Sequence, residues 1–227
     1  MSVNNSDLPK ASDDQGTDQC LIIVMGVSGT GKSTLGRALA TALGMPFVEG
    51  DDLHPRANVE KMSAGQPLTD ADRAPWLELV RTTGERIARG QLETPHEAPP
   101  THNQAPLAGA RGAVVTCSSL KRTYREILRG RSKPATEANA IPSHLEPPHP
   151  HVLPGYFVFI KGDRETLMER MEARKGHFMK AGMLDSQLDT LENPEGEEGV
   201  VVVDLKDTTD RQVEVALEGL KRLVINI

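Results

Sequence analysis

The chain has 227 residues, enough for one domain with appendages. Apolar residues make up 37% of it and aromatics only 3%, so a core must be built from aliphatic side chains and methionine. A net charge of −6 argues against nucleic acid or a membrane surface as the main partner, so cations that matter must be local clusters in an acidic protein.

Residues 1–19 carry Asp7, Asp13, Asp14 and Asp18 against the single Lys10. That is neither a secretory signal nor an Arg-rich transit peptide, so the segment reads as a disordered tail, with the cytoplasm as default location. The longest apolar run, Cys20–Met25, is too short to span a bilayer. Cys20 and Cys117 each sit beside an apolar run and read as reduced core thiols, not a zinc set or a disulfide framework. Short strands are expected at 21–25, 113–117, 156–160 and 200–205, with a shorter one at 47–48. They show little alternation, which suits strands buried on both faces in a parallel sheet. Helices are expected where Leu35, Leu39 and Leu43 recur after Lys32, where Leu77, Val80 and Ile87 lead to Gly90, and where Tyr124, Ile127 and Leu128 lead to Gly130. Two more follow at Leu167, Met168 and Met171 and at Val213, Leu217 and Leu220. This alternation implies an α/β three-layer sandwich with a parallel sheet of about five strands, spanning 20–227. Two stretches interrupt it. Residues 91–112 and 131–154 hold ten of the sixteen prolines and five of the seven histidines, without periodicity. They read as proline-rich insertions, and His96, His102, His144, His149 and His151 as solvated loop residues rather than metal ligands.

Gly26, Val27, Ser28, Gly29, Thr30, Gly31, Lys32 and Ser33 fit G-x-x-x-x-G-K-[ST], with a strand before and a helix after. Glycines let successive N–H groups turn inward onto phosphate oxygens, and the helix N-terminus adds its positive end. Thr34 completes the nucleotide-binding set. Lys32 should reach the β- and γ-phosphates, and Ser33 should place its hydroxyl on Mg²⁺. The only D-x-x-G, at 13–16, precedes this loop, and no N-K-x-D occurs, which disfavours a GTPase. A small chain with this loop near its start favours a small-molecule kinase using ATP.

The segment 47–55 should emerge at the carboxyl end of the second strand, beside the phosphate cradle. Asp51 is the candidate that accepts the acceptor hydroxyl's proton, orients its oxygen and touches the metal, directly or through water; Glu49 and Asp52 compete for that role.

Here the sequence resembles a known family. Gly50-Asp51-x-Leu53-His54-Pro55, then Asn58, Lys61-Met62, Gly65-x-Pro67-Leu68-x-Asp70-x-Asp72-Arg73-x-Pro75-Trp76-Leu77, is similar to the gluconokinases. So are Cys117-Ser118-x-Leu120-Lys121-Arg122-x-Tyr124-Arg125 and the block from Arg170 through Arg174-Lys175-Gly176-His177-Phe178, Met183-Leu184 and Ser186-Gln187 to Pro194. The blocks keep the family's order across most of 21–204. The resemblance implies a P-loop NTPase fold of the nucleoside-monophosphate-kinase type with a helical lid near 164–192, ATP and Mg²⁺ as cofactors, and transfer to the 6-hydroxyl of D-gluconate. It leaves a homodimer open. The tail and the two insertions depart from the pattern.

Gluconate is a polyol with one carboxylate, so it needs a cationic anchor and hydrogen-bond partners. Lys121 and Arg125, beside Arg122 at the start of a helix, are anchor candidates, as is Arg73. His54 could donate to a sugar hydroxyl, and His177 joins the substrate-binding candidates. Trp76 reads as core in preference to a stacking platform. Arg170 and Arg174, four apart on one helix face, could neutralise charge on the transferring phosphoryl; Arg174 is a catalytic candidate. The alternatives are another small hydroxy acid such as shikimate as acceptor, or a nucleotide-binding regulator working through the insertions.

Overall fold

The computed structural model describes residues 19–90, 112–132, 153–173 and 181–223. The tail before residue 19, most of both proline-rich insertions with their five histidines, and residues 174–180, including Arg174 and His177, lie outside the described residues. The element order is β1 (Cys20–Met25), α1 (Lys32–Leu43), β2 (Phe47–Val48), a single-turn helix (Gly50–Leu53), α2 (Arg56–Ser63), α3 (Asp70–Ala88) and β3 (Gly112–Thr116). Then come α4 (Arg122–Leu128), β4 (Gly155–Lys161), α5 (Arg164–Ala173), α6 (Ala181–Thr190), β5 (Val200–Asp204) and α7 (Thr209–Leu223).

The six residues of β1 have no polar side to turn toward water, and every one is buried. β1 pairs in parallel with β3 on one side and β4 on the other, so the most apolar strand takes the middle of a five-stranded sheet in the order β2-β3-β1-β4-β5. All pairs are parallel. Its side chains alternate between two cores. Cys20, Ile22 and Val24 pack with Leu35, Leu39 and Leu43 of α1 and Ala216 and Leu220 of α7. Leu21, Ile23 and Met25 pack with Leu77, Val80 and Ile87 of α3 and Leu128 of α4. Burial on both faces is what gave the strand sequence its unbroken apolar run. The three expected layers are present, and so are the five expected strands.

Three local features were not anticipated. α2 is short and mostly polar, and of its residues only Asn58 is buried. It is held by its side chains: Asn58 Nδ2 donates to the Asp72 carbonyl (2.8 Å), and Lys61 pairs with the Asp72 carboxylate at 2.6 and 2.8 Å. Within 164–192, expected as a helical lid, the pattern marked the helix from Arg164, now α5, but not α6. Leu153 is buried, and the Pro154 carbonyl accepts from the Leu21 N–H at 2.9 Å, so the end of the second insertion belongs to the core.

The turn after β2 is fixed to the end of β3 by backbone contact. The Gly50 N–H donates to Thr116 Oγ1 at 3.0 Å, and the Gly50 carbonyl accepts from Trp76 Nε1 at 2.8 Å. A Cβ on Gly50 would lie 1.9 Å from the Thr116 carbonyl oxygen, which is backbone and cannot step aside. Gly50→Ala is therefore expected to cost at least about 2 kcal/mol in urea unfolding, with a loss of activity as this turn is displaced. An unchanged midpoint would show that the turn has room to spare.

Candidate active site

The loop between β1 and α1 is a cradle of backbone donors. Gly26, Gly29 and Gly31 have φ of 147°, 83° and 88°, angles that side-chain-bearing residues rarely adopt. Thr30 Oγ1 donates to the Val27 carbonyl at 2.8 Å and closes the loop from inside. α1 begins with Gly31 as N-cap, no side-chain cap bond and no acidic residue in its first turn. Its orphan N–H groups and positive end are thus left for an anion. Lys32 Nζ donates to the Val27 carbonyl at 3.1 Å. Burial pushes its pKa down, while the carboxylates of Asp51 and Glu49 pull it back. A desolvated ammonium with incomplete compensation is suited to a polyphosphate. Ser33 and Thr34 are exposed on the first turn of α1.

Parallel strands bring their carboxyl ends to one edge, and the cavity lies there. Of about 640 Å³, it is lined by Ser28 and Lys32 from the loop after β1, Asp51 and His54 after β2, and Ser118 after β3. α2 adds Val59 and Met62, α3 adds Arg73 and Trp76, and α6 adds Met183, Ser186 and Gln187. Among the three acidic candidates, Asp51 is the one on the cavity wall. Glu49 instead accepts a hydrogen bond from Thr116 Oγ1. His54 stacks on Trp76 with ring centroids 3.9 Å apart and planes 15° apart. Trp76 is also 2% exposed and part of the α3 core, so core residue and platform are one and the same. Burial pushes the His54 pKa down and Arg73 adds to this, while Asp51 opposes it. His54 Nδ1 lies 3.4 Å from Asn58 Nδ2, an amide donor, a contact that suits a neutral ring with its proton on Nε2. Arg73 Nη1 donates to the Leu68 carbonyl.

The structure brings together the cradle, Lys32, Asp51, His54 and Arg73. Three other candidates lie outside the lining of that cavity. Arg125 is fully buried, and all five of its N–H donors face Glu197, the Ser119 and Leu120 carbonyls and the Glu192 carbonyl, which leaves none for a substrate in this arrangement. Lys121 lies outside the cavity lining and pairs with Asp70 at 2.7 and 2.8 Å. Arg170 is exposed, and its Nη2 donates to the Leu205 carbonyl at 2.6 Å. The side of α5 that meets the cradle is apolar instead, with Met171 Cγ 3.0 Å from where a Cβ on Gly29 would sit. Gln187 and Asn58 are the site residues that sequence reasoning passed over; their one signal was membership of the resembling blocks. Cys117, at the end of β3, is buried, and burial pushes its thiol up to about 11.

A family model described as an AAA domain matches residues 21–145. Gluconokinase of Gluconobacter oxydans (strain 621H) is 45% identical over 201 residues, covering 88% of this chain and 89% of that protein. Thermoresistant gluconokinase of Escherichia coli (strain K12) is 34% identical, covering 90% of this chain and 95% of its own. The crystal structure of a gluconokinase from Sinorhizobium meliloti 1021 superposes with a TM-score of 0.66 at 42% identity, covering 92% of this chain and 95% of that one.

Breaking a buried ion pair by removing one partner leaves the other charge uncompensated. Arg125→Ala is expected to cost about 3–5 kcal/mol of unfolding free energy by urea titration. Stability close to wild type, with a raised KM for the acceptor, would return Arg125 to the substrate site.

Proposed function

The chain belongs to the gluconokinase family, and from that premise we propose how its residues transfer the γ-phosphoryl of ATP to gluconate. The protein is an ATP-dependent gluconate kinase on a P-loop kinase fold, and no helix among the described residues is long and apolar enough to cross a membrane. One observation carries the residue roles: the phosphate cradle and the acceptor-side groups Asp51, His54 and Arg73 line a single cavity.

ATP enters with its phosphates on the N–H groups after β1 and on the uncapped start of α1. Lys32 leaves the Val27 carbonyl and pairs with the β- and γ-phosphates, which restores the counter-charge that burial denies it. Arg73 anchors the carboxylate of gluconate, replacing Arg125 and Lys121 in that role. His54 donates its Nε2 proton to a hydroxyl. These contacts set the 6-hydroxyl beside Asp51. The hydroxyl oxygen forms its bond to the γ-phosphorus as the bond to the β–γ bridging oxygen breaks; Asp51 takes the proton, and ADP carries off the electron pair. Alignment matters more here than base strength. Mg²⁺ would supply positive charge to offset the negative charge of the phosphates. The residues fit such an ion: Ser33 offers a hydroxyl and Asp51 a carboxylate through water. Among the described residues no group of three His, Cys, Asp or Glu gathers to hold a metal, which suits a cation held chiefly by phosphates and water. Arg174 is the proposed cation over the transferring phosphoryl.

A coupled ADP-release assay with Mg²⁺-ATP should respond to gluconate and stay silent with shikimate, glycerate, glucose and AMP, and Lys32→Ala should abolish the response. Release with another acceptor in place of gluconate would discard the acceptor assignment. Asp51→Asn should lower kcat by about 10²–10³-fold, and Arg73→Ala should raise KM for gluconate about 10–100-fold. If Arg73→Ala leaves that KM unchanged, the anchor lies elsewhere.

A further inference from the structure

One donor of the phosphate cradle is already taken by a side chain. The Ser28 N–H donates to Gln187 Oε1 at 2.7 Å, although the two residues are 159 positions apart. An amide has one proton, so this N–H holds Gln187 and is not available to a phosphate oxygen while the bond lasts. The bond also fixes the carboxamide's orientation, because only its oxygen can accept. The NH₂ end is therefore the end left for other partners, and no partner for it is found among the described residues. Gln187 lines the same cavity as Lys32, Asp51, His54 and Arg73.

Gln187 is presented by a firmly seated element. Leu184, one turn earlier on α6, is fully buried in the α1 core. Asp185 pairs with Arg164 of α5 at 2.6 and 3.0 Å. Just past α6, the Glu192 N–H donates to the Leu120 carbonyl at 2.9 Å, and the Glu192 carbonyl accepts from Arg125 at 3.1 Å. A side chain held at both its helix and its tip is pre-organised for contact at little further entropic cost.

Resting on the gluconate-kinase reading, we propose that Gln187 is an acceptor-recognition residue. Its carbonyl oxygen is pinned by the cradle, and its NH₂ group donates to an oxygen of the sugar acid. The same side chain thereby ties the acceptor's position to the loop that holds the γ-phosphate. A site built to donate to an acceptor oxygen rejects analogues that lack it, because the buried donor is then left unpaired.

The test measures KM for gluconate and for ATP in the wild type, Gln187→Met and Gln187→Glu. Met removes both hydrogen bonds at similar size. Glu keeps an acceptor for the Ser28 N–H and loses the donor. In both, KM for gluconate should rise about 10-fold or more, with KM for ATP rising at most about 3-fold in Gln187→Met. A panel of gluconate analogues, each lacking one hydroxyl, together with the neutral polyol, adds a readout that a purely structural role would not move. The penalty of Gln187→Met should vanish for the one analogue lacking the contacted oxygen. An equal penalty across the panel, or a gluconate KM unchanged in both variants, overturns the proposal. Tighter ATP binding with unchanged gluconate KM would show that Gln187 merely stands in for a phosphate oxygen, which also overturns it. A wild type inactive on gluconate would refute the acceptor reading itself, an outcome distinct from these.

Discussion

The active centre depends on a place where two stretches of backbone touch. Gly50 lies so close to the Thr116 carbonyl that there is no space for a methyl group between them. Its N–H and carbonyl are taken up by Thr116 and Trp76. The turn carrying Asp51 and His54 is thereby attached to the end of β3 and to α3. Trp76 then acts twice, donating to Gly50 below and stacking with His54 above. Strand, turn and helix form one rigid unit, which is what alignment-driven phosphoryl transfer requires.

The opposite wall of the cavity follows a different logic. Where the acceptor side is fully bonded, the phosphate side is left wanting. α1 starts without a cap, and Lys32 is desolvated with only partial compensation from nearby carboxylates. Each feature costs stability in the empty protein and is relieved by a bound polyphosphate. Such departures from local consistency belong at functional sites. The cost is borne by the two cores on either face of β1, where aliphatic side chains from alternate strand positions meet α1 and α7 or α3 and α4.

What could be read in the sequence follows from the range of the interactions. The glycine loop, the strands and the helix at Leu35, Leu39 and Leu43 are set by neighbours a few residues apart, and they were legible. α2 was not, because a helix with only Asn58 buried has no apolar period to detect. Arg125 misled for the opposite reason. Charged residues are seldom fully buried, so an exposed anchor was the natural reading. Its partner Glu197 lies 72 positions away, and only the fold brings the two together. Lys121 is similar, being matched by Asp70 across 51 positions. Asp51, His54 and Arg73 could be placed at the cavity edge because they follow closely on strand or helix ends that the pattern had already located.

The thiol at the end of β3 has a bearing on the conditions under which this enzyme can work. Cys117 sits among the residues that shape the site, yet it is wholly buried and its pKa is pushed up to about 11. At neutral pH such a thiol stays protonated, whereas the thiolate is the form that peroxides and electrophiles attack. Cys117 therefore lacks both the access and the thiolate character on which cysteine oxidation depends.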